Sequence, residues 1–141
     1  MKAEQNLKHL ETNKLKLSTK RISEILTQEM LILLGSKMTP LMRIKEWDVI
    51  FCTSSDGVSF HTFYFNILKY NPTIILIKDT KGRVFGGLAT EKWHASKRFY
   101  GTGESFLFTF KKKNELSVFR WTGANDLIMF SDYTKLIIGG G

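Results

Sequence analysis

The 141-residue sequence is poor in residues that form disulfides or bind metals. Its single cysteine, Cys52, cannot form an intramolecular disulfide, so we expect a reducing, cytoplasmic setting. The histidines His9, His61 and His94 are scattered and show no spacing typical of a zinc site. We therefore predict that the protein holds no metal and no other cofactor.

Long hydrophobic runs are also missing. The longest, Met30–Leu34, is far shorter than the roughly 20 apolar residues that a membrane-spanning helix needs. The first residues, 1–14, have no apolar central region and do not resemble a signal peptide. These absences predict a protein that does not insert into a membrane. The hydrophobic fraction of 43% is enough for the core of one domain.

Positive charge is abundant, with 21 lysines and arginines against 13 aspartates and glutamates. Part of it lies in residues 1–20, which are polar and lack periodicity. We predict that they form a mobile basic leader before a domain at residues 21–141. A second basic cluster is Lys111–Lys113. Such a surface suits an acidic protein, an anionic lipid or a nucleic acid, and it also keeps a protein soluble.

Two helices are predicted from apolar spacing. Between Ile22 and Leu34 apolar residues recur every three or four positions, which predicts a helix that Gly35 and then Pro40 end. Ser23 or Thr27 is its candidate cap, so the segment is one helix or two short ones. The second helix is predicted from residue 60 to residue 68, capped by Ser59 and stopped by Asn71-Pro72.

The remaining segments favour strands. Residues 47–52 are apolar on both faces and predict a buried strand, followed by a turn at 53–57. Residues 73–77 and 83–85 predict a hairpin, after which Gly86-Gly87 indicates a bulge or a close backbone approach. Further strands are predicted at 106–110, 116–121, 127–130 and 136–138, with a charged connection at 111–114. The predicted class is α+β: an antiparallel β-sandwich flanked by short helices.

Five blocks of sequence, in order, resemble the TLDc domain. They are residues 25–40, residues 47–59, residues 72–86, residues 99–108 (Phe-Tyr-Gly-Thr-Gly-Glu-Ser-Phe-Leu-Phe), and residues 121–123 with the closing 138–141. The resemblance implies a β-sandwich between helices, protection against oxidative stress, and binding to the vacuolar proton pump (V-ATPase) at the cytosolic face of acidic organelles. The matching positions with an expected structural role are Trp47, Gly57, Ser59, Phe85, Gly86, Gly101, Gly103, Glu104, Phe106, Trp121, Gly123, Gly139 and Gly140.

The sequence departs from the family pattern in two places. Asp56 stands where the family has a histidine before Gly-x-Ser, so no role of that histidine is carried over. Family domains also continue past the glycine run at 139–141 with further strands, so we expect this sandwich to be incomplete at its C-terminus relative to the family.

The sequence gives less support to an enzymatic function than to a binding role. Ser59 or Cys52 with His61 or His94 would supply a nucleophile and a base, but no Gly-x-Ser-x-Gly elbow is present. Cys52 lies in the strand predicted to be buried, which favours core packing over a redox sensor. The run 101–105 lacks the Gly-Lys-Ser/Thr of a phosphate loop and precedes a strand, so a tight turn is favoured. We predict that the protein is not an enzyme.

A binding role is the favoured interpretation. Residues 81–86 only weakly resemble an RNA-binding signature, and their aromatic residues are in the wrong order. The net positive charge is therefore the only feature that supports nucleic-acid binding. Loops carry binding residues more often than strands do, and aromatics there are either interface anchors or plugs at the ends of a sandwich. We expect a monomer that contacts peripheral subunits of the V-ATPase. Its candidate contact residues are Trp93, Lys97, Arg98, Tyr100, Lys111, Lys112 and Lys113.

Overall fold

The computed structural model describes residues 16–17, 21–112 and 114–140. The chain divides into two compact units, one reaching to Val49 and one from Ile50 onward. In the first unit, strand β1 (Lys16–Leu17) pairs in parallel with strand β2 (Glu46–Trp47). The pairing of β1 lies within the segment expected to be a mobile leader. The other leader residues lie outside the described part of the chain, and their mobility stays a prediction.

The first unit also contains helix α1 (Gln28–Ser36) and the short helix α2 (Pro40–Arg43). The helix predicted from Ile22 begins later, because Thr27 is its cap: the Thr27 Oγ1 accepts a hydrogen bond from the Met30 N–H at 3.2 Å. Gly35 lies inside the last turn instead of ending the helix, and Pro40 opens α2. The buried side chains of α1 are Met30, Leu31 and Leu34.

The prediction of a buried strand at residues 47–52 is wrong. Only Trp47 belongs to a strand, and no side chain from 47 to 52 is fully buried. The predicted turn is helix α3 (Thr53–Asp56), which ends at Gly57 with a φ of 82°. The Asp56 carboxylate accepts a hydrogen bond from the Cys52 N–H at 2.8 Å, so this side chain closes the turn back on the chain before it.

The helix predicted after Ser59 is confirmed as α4 (Phe60–Ile67). Ser59 has an extended backbone and its hydroxyl accepts a hydrogen bond from the Thr62 N–H, as an N-cap does. Phe63 and Ile67 are the buried residues of this helix, and their spacing of four places them on one face. Together with Ala89, Trp93, Ile128 and Met129 they form the buried cluster of the second unit.

The predicted hairpins are confirmed. Four strands form one antiparallel sheet in the order β3 (Thr73–Lys78), β4 (Val84–Ala89), β5 (Phe106–Lys112) and β6 (Glu115–Arg120). Strands β7 (Met129–Ser131) and β8 (Leu136–Ile138) form a second antiparallel pair. Lys111 and Lys112, which were expected in a connection, are part of β5. The α+β class predicted from the sequence is confirmed.

The side chains of β5 point alternately to the two faces of the sheet. Phe106, Phe108 and Phe110 are buried on one face, as predicted, with neighbouring ring centroids 6.4 and 5.8 Å apart. Leu107 points to the other face, where Ile138 of β8 lies over Gly87. The register of β4 runs unbroken through Gly86 and Gly87, so the glycine pair marks a close approach and not a bulge.

Among the described residues, no helix has the length and apolar composition that crossing a membrane requires.

Candidate interaction surface

The loop from Thr90 to Ser105, which carries most of the candidate contact residues, is fastened to strand β7. The Tyr100 N–H donates to the Met129 carbonyl and the Met129 N–H donates to the Tyr100 carbonyl, each at 2.8 Å. The Ser96 N–H donates to the Ser131 carbonyl at 2.9 Å. These three bonds fix the loop at both sides of Lys97 and Arg98.

Side chains reinforce the fastening. Ser131 is fully buried, and its hydroxyl donates to the His94 carbonyl at 2.6 Å and is hydrogen-bonded to the Tyr100 hydroxyl. The His94 N–H donates to the Tyr100 hydroxyl at 3.2 Å, and the two rings lie 4.0 Å apart. The hydroxyl of Tyr100, a candidate contact residue, therefore holds the loop in place, and its ring is half-buried.

The exposed part of the loop is basic. The Ser96 hydroxyl donates to the Arg98 carbonyl at 2.8 Å and accepts from the Arg98 N–H at 3.1 Å, which shapes the backbone between Ser96 and Arg98. Lys97 and Arg98 both have exposed side chains. The backbone is thus held in place while the two charges face solvent.

A third cation joins this surface. The Lys135 ammonium lies 5.4 Å from the Phe130 ring centroid, and that ring lies 5.4 Å from the ring of Phe99, the neighbour of Arg98. We call Lys97, Arg98 and Lys135 the basic tip. Sequence reasoning missed Lys135, and the only available signal was its place just after the predicted turn at 131–133.

The other candidates lie elsewhere. Trp93 is only 1% exposed and belongs to the buried cluster, so it is a plug of the core and the expectation of an interface anchor is wrong. Lys111 and Lys112 are exposed, but at the far end of β5 from the loop. A seven-residue strand is about 20 Å long, so they do not share a surface with the basic tip. Lys113 lies outside the described residues.

The glycines of the family motif have packing roles. The backbone of Gly103 lies directly under the Trp121 ring, and a Cβ on Gly140 would come within 2.8 Å of the Phe99 ring. A Cβ on Gly101 would come within 3.0 Å of Met129, and its φ is 100°. The run 101–105 is a turn closed by the Ser105 N–H donating to the Thr102 carbonyl at 3.1 Å.

The remaining motif positions are also placed by the structure. Gly57, Gly123 and Gly139 have positive φ, which glycine adopts without strain. Phe106 is buried, whereas Glu104, Phe85 and Trp121 are exposed. The Trp47 Nε1–H donates to the Met42 carbonyl at 3.4 Å within the first unit.

The residues considered for catalysis have structural surroundings. The Ser59 hydroxyl caps α4, and Cys52 is a half-buried residue before α3 with its Sγ 3.1 Å from the Ser54 Oγ. The His94 Nδ1 lies 3.0 Å from the Lys92 carbonyl oxygen, and the His61 ring lies 4.8 Å from the Tyr133 ring. Within the described ranges, no group of three histidines, cysteines or carboxylates is placed to hold a metal ion.

Two ionisable groups beside the basic tip are perturbed. Burial raises the pKa of Tyr64, whose hydroxyl donates to the Asp132 carbonyl at 2.6 Å. The Thr134 hydroxyl and backbone N–H, together with the Lys135 N–H, donate to the Asp132 carboxylate and hold its pKa below the ordinary value. Asp132 therefore fixes the turn from which Lys135 extends.

Changing Thr134→Val is expected to raise the Asp132 pKa toward its ordinary value, because one hydrogen bond to the charged form is lost. A lowered folded-state pKa contributes stability above the unfolded pKa of about 4, and that contribution is lost as pH falls through the folded value. An NMR titration of the side-chain carboxyl carbons measures the shift. Thr122→Val, in another exposed turn, is the control. An unchanged Asp132 pKa in the Thr134 variant would contradict the assignment.

Comparison with known proteins places these features in a family. The profile described as TLDc domain matches residues 19–141. Oxidation resistance protein 1 of Rattus norvegicus and of Homo sapiens are each 38% identical over 120 residues, which is 84% of this chain and 14% of either relative. Nuclear receptor coactivator 7 of Gallus gallus is 36% identical over 96 residues, 67% of this chain and 10% of that protein. The chain thus spans a small part of these relatives.

Proposed function

Because the chain belongs to the TLDc domain family, we propose that it is a non-enzymatic interaction module that supports resistance to oxidative stress. The observation that carries the proposal is the match over most of the chain to proteins named for oxidation resistance. The role of the Ser59 hydroxyl as the cap of α4 supports the proposal, because it gives this side chain a structural purpose.

We further propose that the partner is the cytosolic, peripheral sector of the V-ATPase, as the family resemblance implies. The protein would then act as a monomer in the cytoplasm, at the cytosolic face of acidic organelles. The basic tip supports this proposal, because Lys97 and Arg98 are exposed on a backbone held by Ser96 and by strand β7. A backbone that is held before binding reduces the conformational entropy that is lost when the two cations contact an acidic protein face.

The test is an affinity pull-down from cell lysate at low salt, with pump subunits quantified by mass spectrometry. The charge reversal K97E/R98E is expected to lower their enrichment about tenfold, because two attractive contacts become repulsive. The matched control is K111E/K112E, which changes the net charge equally at the far end of β5.

Two outcomes would count against the pump proposal. One is the absence of pump subunits in the wild-type pull-down at low salt. The other is an equal loss in both variants, which would indicate that only net charge matters and that the basic tip is not a specific contact.

A further inference from the structure

The two hairpin turns of the four-stranded sheet carry a cluster of positive charge. Because β4 pairs with both β3 and β5, the β3–β4 and β5–β6 turns lie side by side at one end of the sheet. Five exposed cations against two carboxylates, Asp79 and Glu115, give the described residues of these turns a net charge of +3. We call the five cations the cationic rim: Lys78, Lys81, Arg83, Lys111 and Lys112.

The two carboxylates are engaged close to their own turns. The Asp79 carboxylate accepts hydrogen bonds from the Lys81 N–H at 3.0 Å and the Arg83 N–H at 2.9 Å, and it pairs with the Arg83 side chain at 2.5 Å. Glu115 is aligned with Lys112 across the β5–β6 ladder. After these two pairings, the surplus charge of the rim belongs to lysines.

The rim surrounds the end of the sheet instead of lining a groove. Lys78 is aligned with Val84, and Val84 with Phe110, so Lys78 lies on the face of the buried phenylalanines. Lys111 follows Phe110 and therefore points to the opposite face. Lys81 lies in the turn, beyond the strand ends. Positive charge is thus presented to a surface that crosses the ends of the strands.

The residue types of the rim favour a lipid surface over other polyanions. Lysine is a hydrated point charge that is depleted from protein interfaces, whereas arginine pairs with phosphate and carboxylate through two hydrogen bonds. The arginine of the rim, Arg83, is directed to Asp79. Residues 79–82 and 112–115 include no aromatic residue on which a nucleic-acid base could stack. Anionic lipids attract nearby lysines without such directed contacts.

We propose that the cationic rim docks on a membrane surface that contains anionic lipid. The strand ends face the membrane, the attraction is electrostatic, and the protein stays outside the hydrocarbon core. The loop from Thr90 to Ser105 joins the other ends of β4 and β5, so Lys97 and Arg98 lie at the opposite end of the sheet, about 20 Å away. The basic tip stays free to contact a protein, and the inference does not depend on the V-ATPase being that protein.

Binding is measured by cosedimentation of the whole chain with phosphatidylcholine vesicles that contain about 30% phosphatidylserine. Each lysine near such a surface strengthens binding about fivefold. The net charge of +3 at the rim therefore predicts about a hundredfold tighter binding than to pure phosphatidylcholine vesicles. Raising the salt concentration from about 0.1 M to about 1 M shortens the screening length from about 10 Å to about 3 Å and is expected to release the protein.

Variants of the rim locate the contact. K111Q/K112Q removes two cations and is expected to weaken binding to the phosphatidylserine vesicles about twenty-fivefold. Lys81→Gln, in the neighbouring turn, is expected to weaken it about fivefold. All three side chains are exposed, so the melting temperature is expected to stay unchanged.

Two control variants remove the same charge elsewhere. K97Q/R98Q acts at the basic tip, and K8Q/K14Q acts in the segment predicted to be a basic leader. Each is expected to weaken vesicle binding less than about threefold, because charges that do not approach the lipid surface are screened by salt.

Several results would overturn the proposal. They are equal binding to vesicles with and without phosphatidylserine, or equal losses in K111Q/K112Q and the two controls, which would mean that only net charge matters. Equally tight binding to a DNA duplex of about 20 base pairs at the same salt, lost in K111Q/K112Q, would assign the rim to nucleic acid instead. A failed pump pull-down with intact vesicle binding would reject only the proposed protein partner.

Discussion

Changing Trp93→Ala is expected to lower the free energy of unfolding by about 3–5 kcal/mol. The side chain is almost fully buried, and its ring lies 6.4 Å from the Phe63 ring within the buried cluster. Its Nε1–H donates to the Thr73 hydroxyl at 3.0 Å, which ties the loop after β4 to the start of β3. Alanine would leave a cavity and an unpartnered hydroxyl at once. Urea unfolding followed by circular dichroism measures the loss.

Two other variants separate the contributions. Trp93→Phe keeps most of the volume but removes the hydrogen bond, so a loss of about 1–2 kcal/mol is expected. Trp121→Ala, at a tryptophan that is 47% exposed, should cost less than Trp93→Ala because less apolar surface returns to water. A stable Trp93→Ala protein that no longer binds its partner would restore Trp93 as an interface anchor and contradict its assignment to the core.

Trp93 also illustrates what sequence patterns miss. The alternation of Phe106, Phe108 and Phe110 predicts a strand with a buried face, because a period of two is a local property of strands. Trp93 stands in a segment without periodicity, beside residues that are exposed. Its burial depends on Phe63 of α4, which is distant in sequence. No local pattern carries that information, so a loop aromatic remains ambiguous until the packing is known.

The segment at residues 47–52 shows the opposite error. Its run of apolar residues predicts a buried strand, yet Ile50 and Phe51 are only half-buried and pack against the core cluster from an irregular backbone. The Asp56 carboxylate accepts a hydrogen bond from the Cys52 N–H, whereas in a continuous strand this N–H would bond to the backbone of a neighbouring strand. The helix cap at Ser59 before α4 was predicted correctly because its cause is local.

The candidate surface also combines features that are visible in the local sequence with features that depend on packing. Charge and loop position predicted Lys97 and Arg98, because both properties are visible in sequence. The association of Lys135 with them depends on Phe130 and Phe99, which belong to separate segments. The grouping of Ile77, Phe85, Leu107 and Phe119 on one face of the sheet was likewise hidden, because these residues become neighbours only through the registers of three strand pairs.

Changing Gly86→Ala is expected to lower the free energy of unfolding by about 3 kcal/mol, a large effect for a single methyl group. The added Cβ would overlap the carbonyl of Ile75 on the neighbouring strand β3 and lie 3.1 Å from the Phe108 ring. The carbonyl is backbone, so it cannot rotate away as a side chain can. Relief requires β3 and β4 to separate, which weakens their ladder at the middle of the sheet. Thermal and urea unfolding measure the change.

Two glycine variants give the comparison that isolates this cause. A Cβ on Gly87 would come within 2.7 Å of the Ile138 Cδ1, a flexible terminal methyl, so Gly87→Ala is expected to cost about 1 kcal/mol. Gly82→Ala meets no atom within 4 Å but has a φ of 81°, and about 1 kcal/mol of backbone strain is expected. Equal losses in all three variants would mean that glycine flexibility, and not the close approach of β3 to β4, determines the choice of residue at position 86.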